Sequence, residues 1–390
     1  MAVAEPSKDL DSNDINNTVI QAVQMQRKND SGEYENYYPN TVMSQIDGDI
    51  QMKAKVNITA NAGDNIAISG DSTQTVTIAD GGTATVYLPY GNYTFINNTN
   101  SFTVKLIVDT IKTYEVVVKI KTLEEYSWAE ISEISQSGEA ANKFSIGDKK
   151  KIVLKGTIDN VDVNWNFYVF ILDFNHDLSS ANGTKDGITF GTFKLVADDE
   201  TDGTLVSFLL NNQHFLMNGA DTNSGGWKNC DMRYDSLGST DTQNDDASPT
   251  TATLPVSNTL MSCFPSDLRA VMRPMYIYTD NTGGGSDLAS YVTGTIDYLP
   301  LLAEYEVFGE TLPSDRSSYY ANSAERKYQT QYTYYKNGNN PKKKNPYNVE
   351  NNSEDWLRSP VYYKKNAFVT VFSWYDYTTS KNNIAPMFKV

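Results

Sequence analysis

The chain has 390 residues, of which 39% are hydrophobic and 21% charged, and its formal net charge is −16. This length allows two or three domains with their own cores, and the composition is that of an ordered protein. The acidic balance would repel a phosphate backbone, so nucleic acid is excluded as a partner. No run of about eighteen apolar residues occurs, so we also expect no membrane insertion.

The N-terminus and the scarcity of metal-binding side chains narrow the options further. The first residues lack the basic and apolar regions of a secretory signal, which predicts synthesis in a cytoplasm. Cys230 and Cys263 form no CxxC pattern and are expected to be buried free thiols. With two cysteines and two histidines in the chain, we expect no zinc site and no cofactor.

Residues 1–50 form a polar segment rich in Asn and Asp. Within it, "TVIQAVQMQ" predicts a short strand and "GEYENYYPNT" an extended arm. The segment has too little apolar surface to fold alone, so we expect it to become ordered by docking on something larger.

Residues 51–121 show short runs in which apolar and polar residues alternate. The clearest are the runs around Val86, Val104 and Val116, and the turns between them carry the Gly and Asn that tight turns need. Six or seven strands in about 70 residues predict a small β-sandwich of immunoglobulin type.

Residues 122–390 are expected to form a second folded domain. Thr122 with Glu125, and Ser127 with Glu130, have capping-box spacing, which predicts a helix at its start. Strand patterns then alternate with long loops rich in Gly, Asn, Ser and Asp, which is typical of an α+β domain. The predicted fold class is therefore mainly β, with a sandwich followed by a loop-rich α+β domain.

The sequence contains no P-loop, GxSxG, HExxH or GxGxxG motif. Glycines 283–285 lack the lysine of a phosphate-binding loop, and we interpret them as a flexible loop. His176 adjoins Asp177, but neighbours at a strand end point to opposite faces, so a structural histidine is favoured over an oriented base. Paired carboxylates for glycosidic cleavage cannot be picked out among 48 acidic residues.

Two charged loops can each be interpreted either as a solvent-exposed loop or as a binding site. Asp198, Glu200 and Asp202 alternate like the start of a calcium loop, but Leu209 stands where a bidentate Glu is required, so an exposed acidic turn is the better account. The lysines at 342–344 indicate a solvated loop, with contact to an acidic polymer as the alternative.

Three motifs together resemble a known family. They are "SGGWKNCDMR" (224–233), "CFPSDLRAVMRP" (263–274) and "DWLRSP" (355–360). They are similar to uncharacterised domains common in phage and prophage tail genes of gut bacteria, which carry a Trp-Leu-Arg-Ser-Pro core. "SWAEI" (127–131), "FNHD" (174–177) and "GITFGT" (187–192) extend the resemblance to residues 122–390.

This resemblance implies a C-type-lectin-like or formylglycine-generating-enzyme-like fold for the second domain, which phage receptor-binding proteins use to display loops. The segment before it resembles the immunoglobulin-like modules often fused upstream, with "YLPYGNYTF" (87–95) their most recognisable piece. The chain departs from the usual Gly-x-Arg-Pro ending, because Asn383 and Ala385 stand at the Gly and Arg positions before Pro386. We therefore expect the last strand to turn differently.

Five residues of these motifs are interpreted as structural. Trp227 and Trp356 would bury large areas, while Asp231, Arg233 and Arg358 are charged neighbours inside apolar motifs. A guanidinium offers five donors to carboxylates or loop carbonyls, so we expect the two arginines to pin long loops from beneath. A catalytic interpretation has no base, nucleophile or metal to accompany the arginines, and we expect no enzyme.

The resemblance favours a structural virion protein of a tailed bacteriophage, assembled in the cytoplasm of the host bacterium. The N-terminal arm would contact other virion proteins, and a trimer or ring of copies would bind a bacterial surface glycan or protein through many weak contacts. The alternatives are a decoration protein without receptor binding, such as a head fibre, collar or tail appendage, and an enzyme acting on cell-wall glycans.

The receptor-contact surface is expected in Tyr-rich segments, because their rings offer planar faces for sugars and hydroxyls for hydrogen bonds. The equally weighted alternative is that half or more of these aromatics are core residues. The candidates are Tyr319, Tyr320, Tyr332, Tyr334, Tyr335, Trp374, Tyr375 and Tyr377.

Overall fold

The computed structural model describes residues 25–28, 34–37, 53–195, 215–240, 252–314, 316–341, 344–345, 348–352 and 354–390. The chain divides into two compact units, residues 1–120 and 121–390, so the division falls one residue before the predicted boundary. The acidic turn predicted at 198–202 and the side chains of lysines 342–344 lie outside the described residues.

The described part of the first unit consists of β-strands. Strands β1 (Met25–Lys28) and β2 (Tyr34–Tyr37) pair antiparallel, within the segment predicted as a strand and an arm. Seven strands then follow between residues 53 and 117. They are β3 (Lys53–Thr59), β4 (Asn65–Gly70), β5 (Gln74–Thr77), β6 (Thr83–Pro89), β7 (Gly91–Asn97), β8 (Thr103–Val108) and β9 (Thr113–Val117).

These seven strands form a sandwich whose strand order differs from the predicted immunoglobulin type. One sheet has the order β6-β3-β9, with β3 and β9 parallel, and the other has the order β5-β4-β7-β8. In an immunoglobulin domain the first strand pairs with the second, whereas here it lies between the fourth and the seventh. Alternate residues such as Val56, Ile58, Ile68 and Phe95 fill the core, which is what the period-2 pattern encodes.

The second unit contains short helices and most of the remaining strands. Its helices are α1 (Trp128–Gln136), α2 (Ala140–Lys143), α3 (Leu260–Cys263), α4 (Ser266–Arg269), α5 (Glu304–Phe308) and α6 (Thr333–Lys336). One π-helical turn (Met232–Ser236) and 3₁₀ turns at Leu123–Glu125, Ala289–Tyr291 and Glu325–Lys327 accompany them. Among the described residues, no helix has the length and apolarity needed to cross a bilayer.

The strands of the second unit form several small sheets. They are β10 (Lys149–Ile158), β11 (Val161–Phe174), β12 (Ile188–Leu195), β13 (Met275–Asp280), β14 (Val292–Asp297), β15 (Lys344–Asn345), β16 (Asn348–Asn352), β17 (Trp356–Pro360), β18 (Ala367–Thr370), β19 (Tyr375–Tyr377) and β20 (Phe388–Lys389). The larger sheet has the order β10-β11-β12-β20, and a three-stranded sheet has the order β17-β18-β19. The fold is thus mainly β with several sheets.

The predicted helix start is present at α1. The backbone N–H of Glu130 donates to Ser127 Oγ at 3.2 Å, and the Ser127 N–H donates to the Glu130 carboxylate at 2.8 Å. This capping box leaves the apolar side of α1 to pack inward, where Trp128 contacts Phe190 and Phe388 edge-on.

The two cysteines lie in the core of the second unit as free thiols, as the sequence indicated. Burial raises the pKa of Cys230 to about 12 and that of Cys263 to about 11. Both therefore stay protonated at physiological pH and pack as small apolar residues.

Candidate functional site

An exposed group of aromatic side chains lies in and next to strands β18 and β19. We call Tyr363, Trp374, Tyr375 and Tyr377 the aromatic platform. The exposed fractions of Tyr363, Trp374 and Tyr377 are 45%, 41% and 47%. The ring centroids of Tyr363 and Tyr375 are 6.3 Å apart, and Lys364 Nζ lies 4.8 Å from the centroid of Tyr375. These contacts join rings and ammonium group into one surface patch.

Tyr320 connects the platform to the core beneath it. This side chain is buried, its ring is stacked on Trp374 with a centroid distance of 6.2 Å, and it lies 5.5 Å from Tyr375. The Arg316 guanidinium lies 5.6 Å from the Tyr320 centroid on the core side. Tyr320 was predicted to contact a receptor; the structure makes it a buried support for rings that are exposed.

The loop that carries Trp374 is fixed by backbone hydrogen bonds to one carboxylate. Glu354 Oε1 accepts the N–H groups of Phe372 at 3.0 Å and Ser373 at 2.8 Å, and the N–H of Thr370 donates to the Trp374 carbonyl at 3.1 Å. Trp374 itself has φ = 78°, a left-handed conformation that is uncommon for a bulky residue. Such strain at an exposed aromatic is typical of sites whose geometry serves binding.

Glycines 283–285 pack beneath the turn that carries Tyr363 and Lys364. Asn223 Nδ2 donates to the Lys364 carbonyl at 2.9 Å, and the Gly284 N–H donates to Asn223 Oδ1 at 3.1 Å. A Cβ atom on Gly284 would overlap the Lys364 carbonyl oxygen. The interpretation as a flexible loop is therefore wrong, because the missing side chains let two backbone segments approach closely.

Replacing Gly284 with alanine should therefore damage the platform. The added methyl group must push the turn at Lys364 away, and overpacking of this kind costs about 1–3 kcal/mol. We expect a lower free energy of unfolding in urea and a changed near-ultraviolet circular dichroism signal from the displaced tyrosines. Gly81 is the control, since a Cβ there meets nothing within 4 Å and, like Gly284, it has no positive φ. Equal losses in the two variants would contradict the steric explanation.

Arg358 is fully buried and forms a two-pronged ion pair with Glu306. Its Nη1 donates to Glu306 Oε2 at 2.6 Å and to the Leu301 carbonyl at 2.7 Å, and its Nη2 donates to Glu306 Oε1. Nε donates to Thr279 Oγ1 at 3.0 Å. Burial disfavours its charge, but the Glu306 carboxylate outweighs this and raises the pKa of Arg358. The guanidinium thus ties β17 to α5 and β13.

Two more buried arginines also pair with buried carboxylates. Arg233 Nε donates to Asp297 Oδ1 at 2.6 Å, and both side chains are completely buried. Arg316 pairs with Glu304 and donates from Nη2 to the Thr370 carbonyl at 2.7 Å, at the base of the Trp374 loop. The three pairs form a frame that links irregular segments through charge-assisted hydrogen bonds.

Several predicted contact residues are core residues instead. Tyr320, Tyr332, Tyr334 and Tyr335 are buried, because Tyr332 and the short helix α6 pack into the interior of the second unit. The Tyr332 hydroxyl donates to Asp177 at 2.9 Å. Tyr319 is half-buried and donates its hydroxyl to the Gly309 carbonyl. Of the candidates, Trp374 and Tyr377 are exposed, while Tyr375 is half-buried like Tyr319 and packs against the core.

The other motif residues lie where they support this frame. Trp227 is fully buried and its Nε1 lies 3.4 Å from Asp297 Oδ2, while Trp356 Nε1 donates to the Phe215 carbonyl at 2.9 Å. Asp231 is half-buried and accepts the Gly219 N–H at 2.8 Å.

His176 and Asp177 are hydrogen-bonded, contrary to the expectation that they point to opposite faces. Nδ1 lies 3.0 Å from Asp177 Oδ1 because the chain has left β11 and Asn175 adopts φ = 51°. Nε2 lies 3.0 Å from the Thr330 carbonyl, so both ring nitrogens face acceptors and the ring must carry two protons. Burial opposes this charge, but Asp177 outweighs it and raises the pKa of His176. An imidazolium held in this way braces the fold and cannot serve as a base.

The space beside this pair is small. The adjoining cavity is about 30 Å³, which is room for about one water molecule. Within the described residues, no group of three or more His, Cys, Asp or Glu side chains is placed to hold a metal ion.

Glu325 is a second buried titratable group. It accepts the Asp280 N–H at 2.7 Å and the Ser359 hydroxyl at 2.8 Å. Burial raises its pKa to about 8, so its protonation changes near physiological pH.

Sequence reasoning missed four residues that build the site. Tyr363 and Lys364 stand in "VYYKKN" directly after the recognised motif, and this run of two tyrosines and two lysines was the available signal. Arg316 and Glu304 come together only in the fold and carry no local signal.

Comparison with known proteins adds little. No protein-family model and no curated protein matches the sequence. Among solved structures, the chain is similar to a DUF3823 family protein from Bacteroides ovatus, with 14% identity and a TM-score of 0.17. The match covers 30% of this chain and spans 55% of that one. A likeness this weak carries no inference about fold or function.

Proposed function

We propose that this protein is a non-catalytic adhesion protein that binds a surface glycan through the aromatic platform. The observation that carries the proposal is the exposure of Tyr363, Trp374 and Tyr377 on loops that are themselves fixed from below. Most large aromatic side chains of the second unit are buried, whereas these three are exposed close together. A cluster of exposed apolar side chains is typical of a binding surface. Rigid aromatic side chains supply contact area at a low entropic cost.

A glycan suits this patch better than an apolar partner. Ring faces stack against the C–H faces of sugars, while the tyrosine hydroxyls and the Lys364 ammonium group can bond to sugar hydroxyls or carboxylates. Burial of the phenol and the neighbouring Tyr375 raise the pKa of Tyr363 to about 12. Its hydroxyl therefore stays neutral and can donate a hydrogen bond.

The wider setting of the proposal comes from the motif resemblance. On the basis of this resemblance, the protein is proposed to be a tail fibre or baseplate component of a tailed phage. Residues 1–50 would contact other virion proteins, and residues 122–390 would adopt a C-type-lectin-like fold. Symmetric copies would turn weak glycan contacts into firm attachment.

Trp374→Ala and Tyr377→Ala are expected to weaken binding of the purified protein to intact gut bacteria by about 10- to 30-fold each, the loss typical of a central aromatic contact. Both side chains are exposed, so the melting temperature should stay close to that of the wild type. Binding is measured by flow cytometry of fluorescently labelled protein on a panel of strains.

The matched control is Tyr87→Ala, which removes a tyrosine of 52% exposure from strand β6. Undiminished binding by the platform variants would rule out the platform as the contact surface. Absence of binding to every strain, with antibody labelling of a particle's head or collar, would favour the decoration protein. Release of soluble glycan from the cells would favour an enzyme.

A further inference from the structure

A cleft separate from the platform opens in the second unit. It lies between the end of α5 and residues 329–331, and its volume of about 630 Å³ falls within the range of small-molecule sites, roughly 300–1,000 Å³. None of its lining residues belongs to the aromatic platform.

The walls of the cleft are held in place by hydrogen bonds from behind. Gln331 Nε2 donates to the Val307 carbonyl at 3.0 Å, and the Thr330 carbonyl accepts from His176 at 3.0 Å. Gln329 Nε2 donates to a backbone carbonyl of β13 at 3.0 Å. Consecutive residues of one wall are thus anchored separately, so a ligand would meet a preformed surface and lose little affinity to ordering it.

The lining combines an aromatic ring with neutral hydrogen-bonding groups. The half-buried Tyr305 supplies the ring, while Thr311, Thr330 and Gln331 supply hydroxyl and amide groups. This pairing suits a ligand that has both C–H faces and many hydroxyls.

The charged residues at the cleft narrow the class of ligand. Glu310 and Lys336 are both exposed at the cleft and carry opposite charges, so they give no strong preference for an ion. Gln329 lines the cleft, is more than nine-tenths buried, and its amide oxygen has no hydrogen-bond partner among the described residues. This oxygen has almost no accessible surface, so it adds nothing to the choice of ligand.

We propose that this cleft is a second binding site, for a short neutral saccharide, that acts independently of the aromatic platform. Because the cleft shares no side chain with the platform, this proposal can be correct or wrong independently of the proposed function. Two sites on one copy would raise the avidity for a polymeric glycan.

Saturation-transfer NMR on the full chain tests this with four neutral disaccharides, maltose, cellobiose, lactose and N,N′-diacetylchitobiose, each at about 10 mM to detect millimolar affinity. Thr330→Trp fills the cleft from an exposed position and leaves the backbone contact to His176 intact. We expect it to weaken binding of the responding sugar by about 10-fold or more. Gln331→Ala should weaken binding as well.

Thr75→Trp, at an exposed threonine of β5, is the matched control and should bind like the wild type. The proposal is overturned if none of the four sugars binds, or if Thr330→Trp weakens binding no more than Thr75→Trp does. Stronger binding of sodium glucuronate than of every neutral sugar would also overturn it.

Discussion

Arg358→Met should lower the free energy of unfolding by about 3–5 kcal/mol, because it leaves the buried Glu306 carboxylate without its counter-charge. The same change removes the donors to the Leu301 carbonyl and Thr279 hydroxyl in a site with no exposure to water. Since domains are stable by only about 5–15 kcal/mol, the variant should unfold at a much lower urea concentration. Tryptophan fluorescence follows the transition.

Arg326→Met is the matched control, since Arg326 is half-exposed and its guanidinium lies over the Tyr319 ring at 4.3 Å. We expect it to cost about 1 kcal/mol or less. Arg358→Met combined with Glu306→Met should recover part of the loss, but not all, because Glu306 also accepts the Ala303 N–H at 2.8 Å. If Arg358→Met were as stable as the control, the view of Arg358 as a brace would be untenable.

The second large effect is on the pH dependence of stability. The pKa of Glu325 is about 8 in the folded protein and 4.5 as an ordinary glutamate. Between these values the folded state holds a proton that the unfolded state has released, so stability falls as pH rises through this window. Between pH 5 and pH 9 the free energy of unfolding should fall by an amount on the order of 4 kcal/mol. Urea unfolding at each pH measures this change.

Glu325→Gln isolates this contribution, because glutamine resembles the protonated acid and does not titrate. The raised pKa of His176 acts in the same direction, since stability from its charge is also lost as pH rises, so the quantity to compare is the difference between wild type and variant. That difference should favour the variant increasingly toward pH 9. Parallel pH profiles for the two proteins would refute the assignment.

Local patterns predicted the elements of this fold better than their connections. Alternation around Val86 and Val116 was enough to predict strands, and capping-box spacing was enough to predict α1, because both depend on near neighbours in sequence. The observed order β6-β3-β9 differs from the predicted immunoglobulin type, because strand pairing depends on how two sheets pack and alternation does not encode this.

The candidate site was only partly predictable, because the burial of its aromatic residues also depends on tertiary packing. In short irregular segments, aromatic residues follow no helical or strand periodicity that would indicate which rings are buried. The sequence therefore could not show that Tyr332, Tyr334 and Tyr335 are buried while Trp374 is exposed. The hydrogen bond between His176 and Asp177 was missed because a positive φ at Asn175 redirects the chain. Buried pairs such as Arg316 with Glu304 form only when distant segments meet.

The short strand β20 bears on how the second unit folds. Phe388 pairs with Phe190 of β12, and the carbonyl of Val390 accepts hydrogen bonds from Ser135 and from the Ile188 backbone. Contacts between residues so far apart in the chain give a high contact order, which slows folding. Until β20 has paired, this side of β12 is an open edge that other chains can join, so aggregation should be greatest before that pairing forms.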